Sequence, residues 1–313
     1  MRHLLSYSVY QDMGFFGDDV QGTLSSVGCD GLELLTSTSP VDPVYIPHTV
    51  SVHLPYATDW MAAWQGRAYD MDPESAVHIM YGRNREEVVS NLVRMMEVAA
   101  PLSPVHGVLH ASNADLPEIM MRRYTRDCRE VLREFSEMVN TAVSMLPGGE
   151  PPFRLLFENL WWPGLRLLDE SDYRYLGSRI EFDNWGVCLD TGHMMNCIPD
   201  IRTEAEGIDA VMDVVTGYGD DLVDRVHAVH FHYSASGEYR ATFEERPMDL
   251  PPLDFVSEAY GHVCTLDQHM PFTDPRCAEI LDVLRPDTVV HEMPGSVDGP
   301  LEDFGRQRAL LPP

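Results

Sequence analysis

The 313-residue sequence has no long run of apolar residues. Its first residues, from Met1 to Ser6, contain neither an extended apolar segment nor a small-residue cleavage pattern, so a signal peptide is not expected. No stretch approaches the roughly 20 apolar residues of a transmembrane helix. We therefore expect a cytoplasmic protein that does not cross a membrane.

Cysteine is scarce, and no two cysteines form a Cys-X-X-Cys pair. Such pairs are typical of zinc ribbons and thiol redox sites, and regular cysteine spacing is typical of small disulfide scaffolds. The pattern therefore predicts reduced thiols at the six scattered positions Cys29, Cys128, Cys188, Cys197, Cys264 and Cys277.

Positive charge is also scarce, because 22 basic residues stand against 50 acidic ones and give a formal net charge of −28. Nucleic-acid affinity comes largely from cationic contacts with phosphates, and we identify no clustered basic stripe in the sequence. Nucleic acid is therefore a disfavoured partner. The expected partner is a small-molecule substrate, and the oligomeric state stays open, a homo-oligomer included.

The sequence also lacks an internal repeat, a low-complexity tract and any linker between domains, while 44% hydrophobic residues can form a sizeable core. Eight strand patterns alternate with helical patterns, which predicts an α/β fold with a single (β/α)8 TIM barrel over residues 1–313. The predicted strands are 4–9, 31–36, 49–55, 105–110, 153–159, 185–189, 226–233 and 288–292, and the clearest helices are 85–100, 116–145, 203–218 and 274–284.

Residues 56–84 form a long segment between the third strand and the next helix. Long segments inside compact domains are often lids or binding loops, so we predict a lid insertion here. Its tryptophans, Trp60 and Trp64, are four residues apart, which favours the hydrophobic face of a short helix over a role in binding.

The stretch 185–196, WGVCLDTGHMMN, is the first candidate for chemistry. It predicts a buried strand that ends at Asp190, followed by a turn at Thr191-Gly192 that brings His193 back towards the carboxylate. An oxygen and an imidazole nitrogen placed in this way suit a divalent metal. Alone the signal is weak, because an aspartate near a glycine more often serves a turn.

Other predicted strands end in similar residues, and the active site of such a barrel lies at the carboxyl ends of its strands. These residues are His53, His110, Glu158, Asp190, His230 and Glu292. Apolar neighbours alternate with them, so the ionisable groups fall on the inner face together, where they would be costly unless paired or bound to a cation. Asp267 and His269, two apart in a loop predicted to be extended, can face the same way and add to the site. His227 and His291 fall on the outward faces and are interpreted as packing residues.

This ordered set resembles the xylose-isomerase-like barrel superfamily, which includes sugar phosphate isomerases and epimerases, endonuclease IV and multinuclear iron enzymes. Epimerases hold one divalent metal with four residues that match Glu158 in FEN, Asp190 in LDTGH, His230 in VHFH and Glu292 in VVHE. Endonuclease IV holds three zinc ions with five further ligands that match His53 in VHLPY, His110 in VLHAS, His193 in DTGH, and Asp267 and His269 in DQH. The strand-seven ligand is His230 or His232; we assign His230, because Ser234 then falls where a small polar residue usually follows.

The resemblance implies one to three divalent ions of manganese, zinc, magnesium or iron. It also implies that Glu158 and Glu292 act as an acid–base pair in a metal-dependent isomerase or epimerase of a small polyhydroxylated substrate. Three alternatives stay open: a three-metal phosphoesterase related to endonuclease IV, a multinuclear iron oxidase acting on a peptide, and a non-catalytic metal-dependent binding protein. Metal content separates them, because an epimerase needs one ion, the phosphoesterase three zincs and the oxidase iron.

Overall fold

Eight parallel strands close into a barrel in sequence order, with β8 paired to β1. The computed structural model describes residues 1–293 and 299–312. The strands are β1 Arg2–Ser8, β2 Gly31–Leu35, β3 Thr49–His53, β4 His106–His110, β5 Arg154–Glu158, β6 Trp185–Asp190, β7 Val226–His230 and β8 Thr288–His291. The predicted single (β/α)8 barrel is confirmed.

Helices occupy the connections between the strands. They are α1 Val20–Ser26, α2 Trp60–Trp64, α3 Pro73–Met80, α4 Arg85–Ala99, α5 Cys128–Ser144, α6 Glu170–Gly177, α7 Thr191–Cys197, α8 Glu204–Val215, α9 Asp220–Val223, α10 Gly237–Thr242, α11 Pro252–Leu266, α12 Ala278–Leu284 and α13 Pro300–Arg308. Across residues 1–293 and 299–312, none of these helices has the length and apolar character needed to span a membrane.

The helix predicted for residues 116–145 is wrong over residues 116–127. Residues 116–118 form one 3-10 turn, and α5 begins only at Cys128. Its start is fixed by Asp127, whose side chain accepts the Glu130 N–H at 2.8 Å and so satisfies a backbone donor that the helix leaves free. The connection from β4 to α5 is therefore a long loop at the carboxyl end of the barrel.

Strand alternation places the polar layer of the barrel. Val108, Leu156, Cys188 and Ala228 pack together in the barrel interior, apart from the main core cluster. Successive residues of a strand point to opposite faces, so the residue two positions further along each strand also points inward. Those residues are His110, Glu158, Asp190 and His230. A layer of ionisable groups thus lies directly above an apolar layer, at the carboxyl end.

The segment 56–84 is largely folded against the barrel. Trp60 and Trp64 lie on α2 and are buried, and the Trp60 indole donates to the Ser112 carbonyl at 2.7 Å. This confirms that the two tryptophans form the buried face of a short helix. A lid role for the segment stays a prediction; its first residue, Tyr56, stacks on the His110 ring at 4.8 Å between centroids.

Two buried histidines on the outer face of the barrel form a hydrogen-bonded chain with Gln307 of α13. The Gln307 Nε2 amide can only donate, so the His291 Nδ1 atom, 2.8 Å away, accepts. The other nitrogen of His291 therefore carries hydrogen and donates to His3 Nδ1 at 3.1 Å. His291 also packs on Phe304, which confirms its role as an outward packing residue. Burial, assisted by the charge of Arg308, lowers the pKa of His3 to about 4.

This chain predicts a loss of stability in mild acid. Between pH 6.5 and about 4 the unfolded chain takes up a proton at His3 that the folded chain refuses, so the free energy of unfolding falls as the pH falls. A shift of this size corresponds to about 3 kcal/mol at most. Urea unfolding measures the free energy of unfolding at pH 7 and at pH 4.5. Between these two pH values it should fall by about 2 kcal/mol less in His3→Gln than in the wild type. The exposed control His78→Gln should behave as the wild type, and equal losses in all three proteins would contradict the assignment.

Candidate metal centre

The carboxylate of Glu158 lies at the middle of the polar layer and is 1% exposed. Its Oε2 atom is 3.2 Å from the Nε2 atoms of both His53 and His110. Its Oε1 atom is 3.1 Å from His230 Nδ1 and 3.3 Å from His193 Nδ1. One buried carboxylate therefore faces four imidazoles, two on each oxygen.

His230 is the point at which the acids predicted for one ion converge. Its Nδ1 atom is 3.1 Å from Glu158 Oε1, 3.4 Å from Glu292 Oε1 and 3.8 Å from Asp190 Oδ2. The alternative residue, His232, lies on the other side of Asp190, with its Nε2 atom 2.9 Å from Asp190 Oδ2 and 3.8 Å from Glu292 Oε2. The structure thus places both histidines beside the site, with His230 at the convergence.

The predicted turn at Thr191-Gly192 is instead the first turn of α7. Asp190 is the residue before the helix, and its Oδ1 atom accepts the His193 N–H at 2.6 Å. This cap offsets the low helix propensity of a Thr-Gly start and puts His193 on the same side as the carboxylate. A Cβ atom on Gly192 would lie 2.4 Å from the His232 ring, so glycine is needed here for close approach.

Asp267 and His269 also meet, but not in extended backbone as predicted. His269 has a φ of 50°, and its Nε2 atom lies 2.7 Å from Asp267 Oδ2. The backbone has to turn there because Met270 pairs with Tyr233 through hydrogen bonds of 2.8 and 2.9 Å. Asp267 Oδ2 is also 3.1 Å from His193 Nε2. All nine predicted residues are therefore brought to one end of the barrel.

The local field keeps these carboxylates charged. Burial alone would raise the pKa of Glu158, but His230 and His110 outweigh it and hold the pKa well below its usual range. Burial similarly opposes a charge on His269, yet Asp267 and Glu292 raise its pKa to about 9. Neighbouring imidazoles thus stabilise the charged form of Glu158, and a divalent cation at the same place would bind imidazole nitrogens that carry no proton.

The donor chemistry fits a divalent metal. Imidazole nitrogens and carboxylate oxygens are ligands for zinc, manganese and iron, and buried acids at such density require a cation. In the described part of the chain, the groups whose ligand atoms lie within 4.8 Å of one another are His53–His110–Glu158, His193–Asp267–His269, His232–His269–Glu292, Glu33–His230–Glu292 and Glu158–Asp190–His193.

Glu33 is a residue that the sequence analysis missed. It points into the barrel from β2, is fully buried, and lies 2.8 Å from His230 Nε2. It also accepts the Ser51 hydroxyl at 2.7 Å and lies 3.3 Å from His106 Nε2. With three partners of its own, Glu33 is placed to orient His230 so that Nδ1 faces the other acids. The one sequence feature that pointed to Glu33 was its position as the only acid in the otherwise apolar strand GLELL.

Glu33→Gln should therefore weaken metal binding without removing a proposed ligand. The amide keeps the shape but loses the negative charge that fixes the orientation of His230, and such changes typically cost 10–100-fold in metal affinity. Chelator competition measures the affinity, and the thermal midpoint reports the fold. Ser51→Ala, which removes a different partner of Glu33, should have a smaller effect. Unchanged metal affinity in Glu33→Gln would contradict this role.

The sequence analysis identified no clustered basic stripe, but the structure brings several arginines together. Arginines from the loop after β4 and from the loop after β5 line one cleft at the carboxyl end of the barrel: Arg122, Arg123, Arg126 and Arg166. The net charge of −28 is unchanged, but it is not evenly spread.

Solved structures of several proteins share this fold at low sequence identity. Endonuclease IV from Thermus thermophilus is 15% identical, with 99% of this chain and 98% of that chain covered and a TM-score of 0.52. A D-tagatose 3-epimerase-like protein is 14% identical, with coverage of 99% and 97% and a TM-score of 0.51. A sugar phosphate isomerase/epimerase from Parabacteroides distasonis is 9% identical, with coverage of 99% and 95% and a TM-score of 0.50. At these identities the likeness concerns the fold alone.

No curated protein matches the chain. The sequence profile of one family, however, matches residues 23–275, which is most of the barrel. The chain therefore belongs to the xylose isomerase-like TIM barrel family.

Proposed function

We propose that the protein is a metal-dependent isomerase or epimerase of a small polyhydroxylated substrate. The observation that carries the proposal is the convergence of Glu158, Glu292 and Asp190 on one nitrogen of His230, within 3.1–3.8 Å. Two glutamates, an aspartate and a histidine around one point form a donor set for one divalent ion. Sugar epimerases and isomerases among the solved structures of this fold agree with the proposal without deciding it.

Asp190 and His230 would hold the ion, and both are fixed by partners outside the centre. The Asp190 N–H donates to the Asn159 side chain at 2.8 Å, and His230 Nε2 is held by Glu33 at 2.8 Å. A divalent ion bound there would polarise a substrate carbonyl and so acidify the neighbouring C–H bond. These hydrogen bonds to Asn159 and Glu33 keep Asp190 and His230 in place during turnover.

Glu158 and Glu292 would exchange the proton. A base must be ionised to accept a proton from carbon, and the imidazoles around Glu158 keep it ionised. Glu292 is less deeply buried, with a side chain 13% exposed, and lies 3.5 Å from His269 Nδ1. A proton taken from one carbon by one glutamate and returned to the opposite face of the same carbon by the other inverts the stereocentre. Return to the neighbouring carbon, with the hydroxyl proton passing from one substrate oxygen to the other, shifts the carbonyl.

Solvent exchange tests this proposal without knowledge of the natural substrate. The protein, purified with its own metal, is incubated with a panel of ketoses, aldoses and their phosphates in D2O and followed by NMR. We expect deuterium at the carbon next to the carbonyl of an accepted sugar, together with its isomer or epimer. No exchange with any sugar, alongside hydrolysis of a phosphoester, would reject the proposal.

A metal-dependent phosphoester hydrolase is the second candidate, and a specific observation favours it. His53 and His110 face one oxygen of Glu158, whereas His193, Asp267 and His269 form a separate group. A single ion does not need these five residues, but three ions would use them all. Three zinc ions per chain with phosphoesterase activity would establish the hydrolase in place of the isomerase.

A further inference from the structure

The arginine cleft opens at the same end of the barrel as the candidate metal centre. It is lined by Arg122, Arg123, Tyr124, Arg126, Asp127, Cys128, Pro163 and Arg166. It has a volume of about 460 Å³. Clefts of this size hold small molecules. Four of its lining residues are arginines, which is unusual in a chain whose acidic residues outnumber its basic ones 50 to 22.

Arg166 lines the cleft, whereas Arg240 of α10 lies beside it. Each interacts electrostatically with a nearby aspartate, Asp172 and Asp200 respectively, but neither forms a direct ion pair with it. Arg166 donates through Nε to the Trp162 carbonyl at 3.4 Å, and Arg240 donates to the Ile198 carbonyl at 3.1 Å. Across residues 1–293 and 299–312, neither forms an ion pair within 4 Å. Both are partly buried, and burial, together with the nearby charge of Arg166, lowers the pKa of Arg240. Adjacent guanidinium groups without an anion are unfavourable when removed from water.

The remaining arginines of the cleft have different partners. Arg126 pairs with Asp115 at 2.6 Å and Glu130 at 2.7 Å, so its charge is already compensated. Arg122 donates to the carbonyls of Arg240 and Phe243 and so ties the loop after β4 to α10. Arg123 is exposed and forms no ion pair with any described residue. The positive charge without a direct ion pair therefore belongs to Arg123 and Arg166 in the cleft and to Arg240 beside it.

A wall of two tryptophans separates the cleft from the metal centre. The Trp161 ring lies 5.1 Å from the His193 ring and 4.9 Å from the Trp162 ring, between centroids. The indole nitrogens of Trp161 and Trp162 are both buried, and neither has a hydrogen-bond partner in the described structure. Pro163, which follows Trp162 directly, lines the cleft. Unsatisfied N–H donors thus accompany unpaired guanidinium groups at the side of the centre.

We propose that the arginine cleft binds an anionic group, a phosphate or a carboxylate, of the substrate whose hydroxyl groups reach the metal centre. Guanidinium groups bind both oxyanions through paired N–H donors. The anion would restore charge balance around Arg166 and Arg240, as carboxylates do for Arg126. The claim that one molecule spans both places rests on the proposed function; the claim that the cleft binds an oxyanion does not.

Titration calorimetry with inorganic phosphate tests the cleft on the metal-loaded protein at fixed ionic strength. Arg166→Gln should raise the dissociation constant of phosphate by about tenfold or more, as expected when a charge-assisted hydrogen bond is lost. Arg123→Gln, on the surface and without a structural contact to lose, should weaken binding in the same direction. Arg285→Gln removes the same charge at the opposite end of the barrel and should bind as the wild type.

The outcomes separate the two proposals. Equal dissociation constants of phosphate for the wild type, Arg166→Gln and Arg123→Gln would overturn the proposal that the cleft binds an oxyanion. This holds whatever the enzymatic activity, because phosphate would then bind elsewhere. Phosphate binding that depends on the arginines, without isomerase activity, would support oxyanion binding in the cleft. In that case only the proposed isomerase function would be rejected. Aldose phosphates and uronic acids, which both keep the carbonyl, distinguish the two anions. Arg166→Gln should raise KM for the charged sugar and leave KM for its neutral parent unchanged. Displacement of phosphate by duplex DNA would overturn the proposal that the ligand of the cleft is a small molecule.

Discussion

Glu158→Gln is expected to lower turnover by about 10²–10⁴-fold, the usual cost of losing a general base, while the barrel stays folded. The amide keeps the shape and one oxygen donor but cannot accept a proton from carbon at neutral pH. Asp190, His230 and Glu292 remain, so we expect much of the metal to remain as well, though more weakly bound. Metal content, thermal midpoint and turnover, measured together on one preparation, check each part of this result.

The control for this variant is Glu279→Gln, which removes a carboxylate from the exposed side of α12. It should match the wild type in all three measurements. If Glu158 had a purely structural role, Glu158→Gln would lower the thermal midpoint and preserve the activity of each folded molecule. Near-wild-type turnover would remove Glu158 from the proposed mechanism, and the transfer of a proton between two glutamates with it.

Removal of the metal should abolish turnover and destabilise the fold at the same time. A ligand that binds only the folded state stabilises it by about 4 kcal/mol at 1,000 times its dissociation constant, and this contribution disappears with the ion. For a chain of this size the loss corresponds to a fall of several degrees in the thermal midpoint.

Scanning calorimetry with and without chelator measures this effect, and re-addition of manganese, zinc, magnesium or ferrous iron tests which ion restores it. Chelator that has been saturated with metal beforehand is the control for direct effects on the protein. An unchanged midpoint and unchanged turnover after exhaustive chelation would contradict a metal centre built from these residues.

The sequence was sufficient to predict the barrel and the convergence of the nine residues because both follow from alternation along strands. Once Val108, Leu156 and their neighbours point inward, the residues two positions later must do so too. The order of the strands then brings these side chains to one end, even though Glu158 and Glu292 are far apart in the sequence.

Details that depend on three-dimensional neighbours could not be predicted in this way. The helical start at Thr191 is held by the Thr191 hydroxyl, which donates to the His232 carbonyl just after β7 at 2.6 Å, whereas local propensity favours a turn. The turn at His269 depends on a bridge between Met270 and Tyr233. Glu33 gave a weak signal because a single acid within a strand does not reveal that a histidine from β7 lies beside it.

The arginine cleft shows a different limit. Arg122, Arg123 and Arg126 are close in the sequence, in the loop after β4, but Arg166 comes from the loop after β5. Counting charges along the chain gave −28 and obscured a local cluster that forms only when those loops meet.

Elemental analysis of protein purified without added metal or chelator tests the central claim most directly. We expect a stoichiometric amount of a divalent metal bound by histidine and carboxylate ligands. One ion per chain would agree with the isomerase, and three zinc ions per chain would agree with the hydrolase. Asp190→Asn and His230→Gln, each folded by circular dichroism, should carry less metal than the wild type. Wild-type protein with no metal as purified, and none taken up on addition of manganese, zinc, magnesium or ferrous iron, would contradict it.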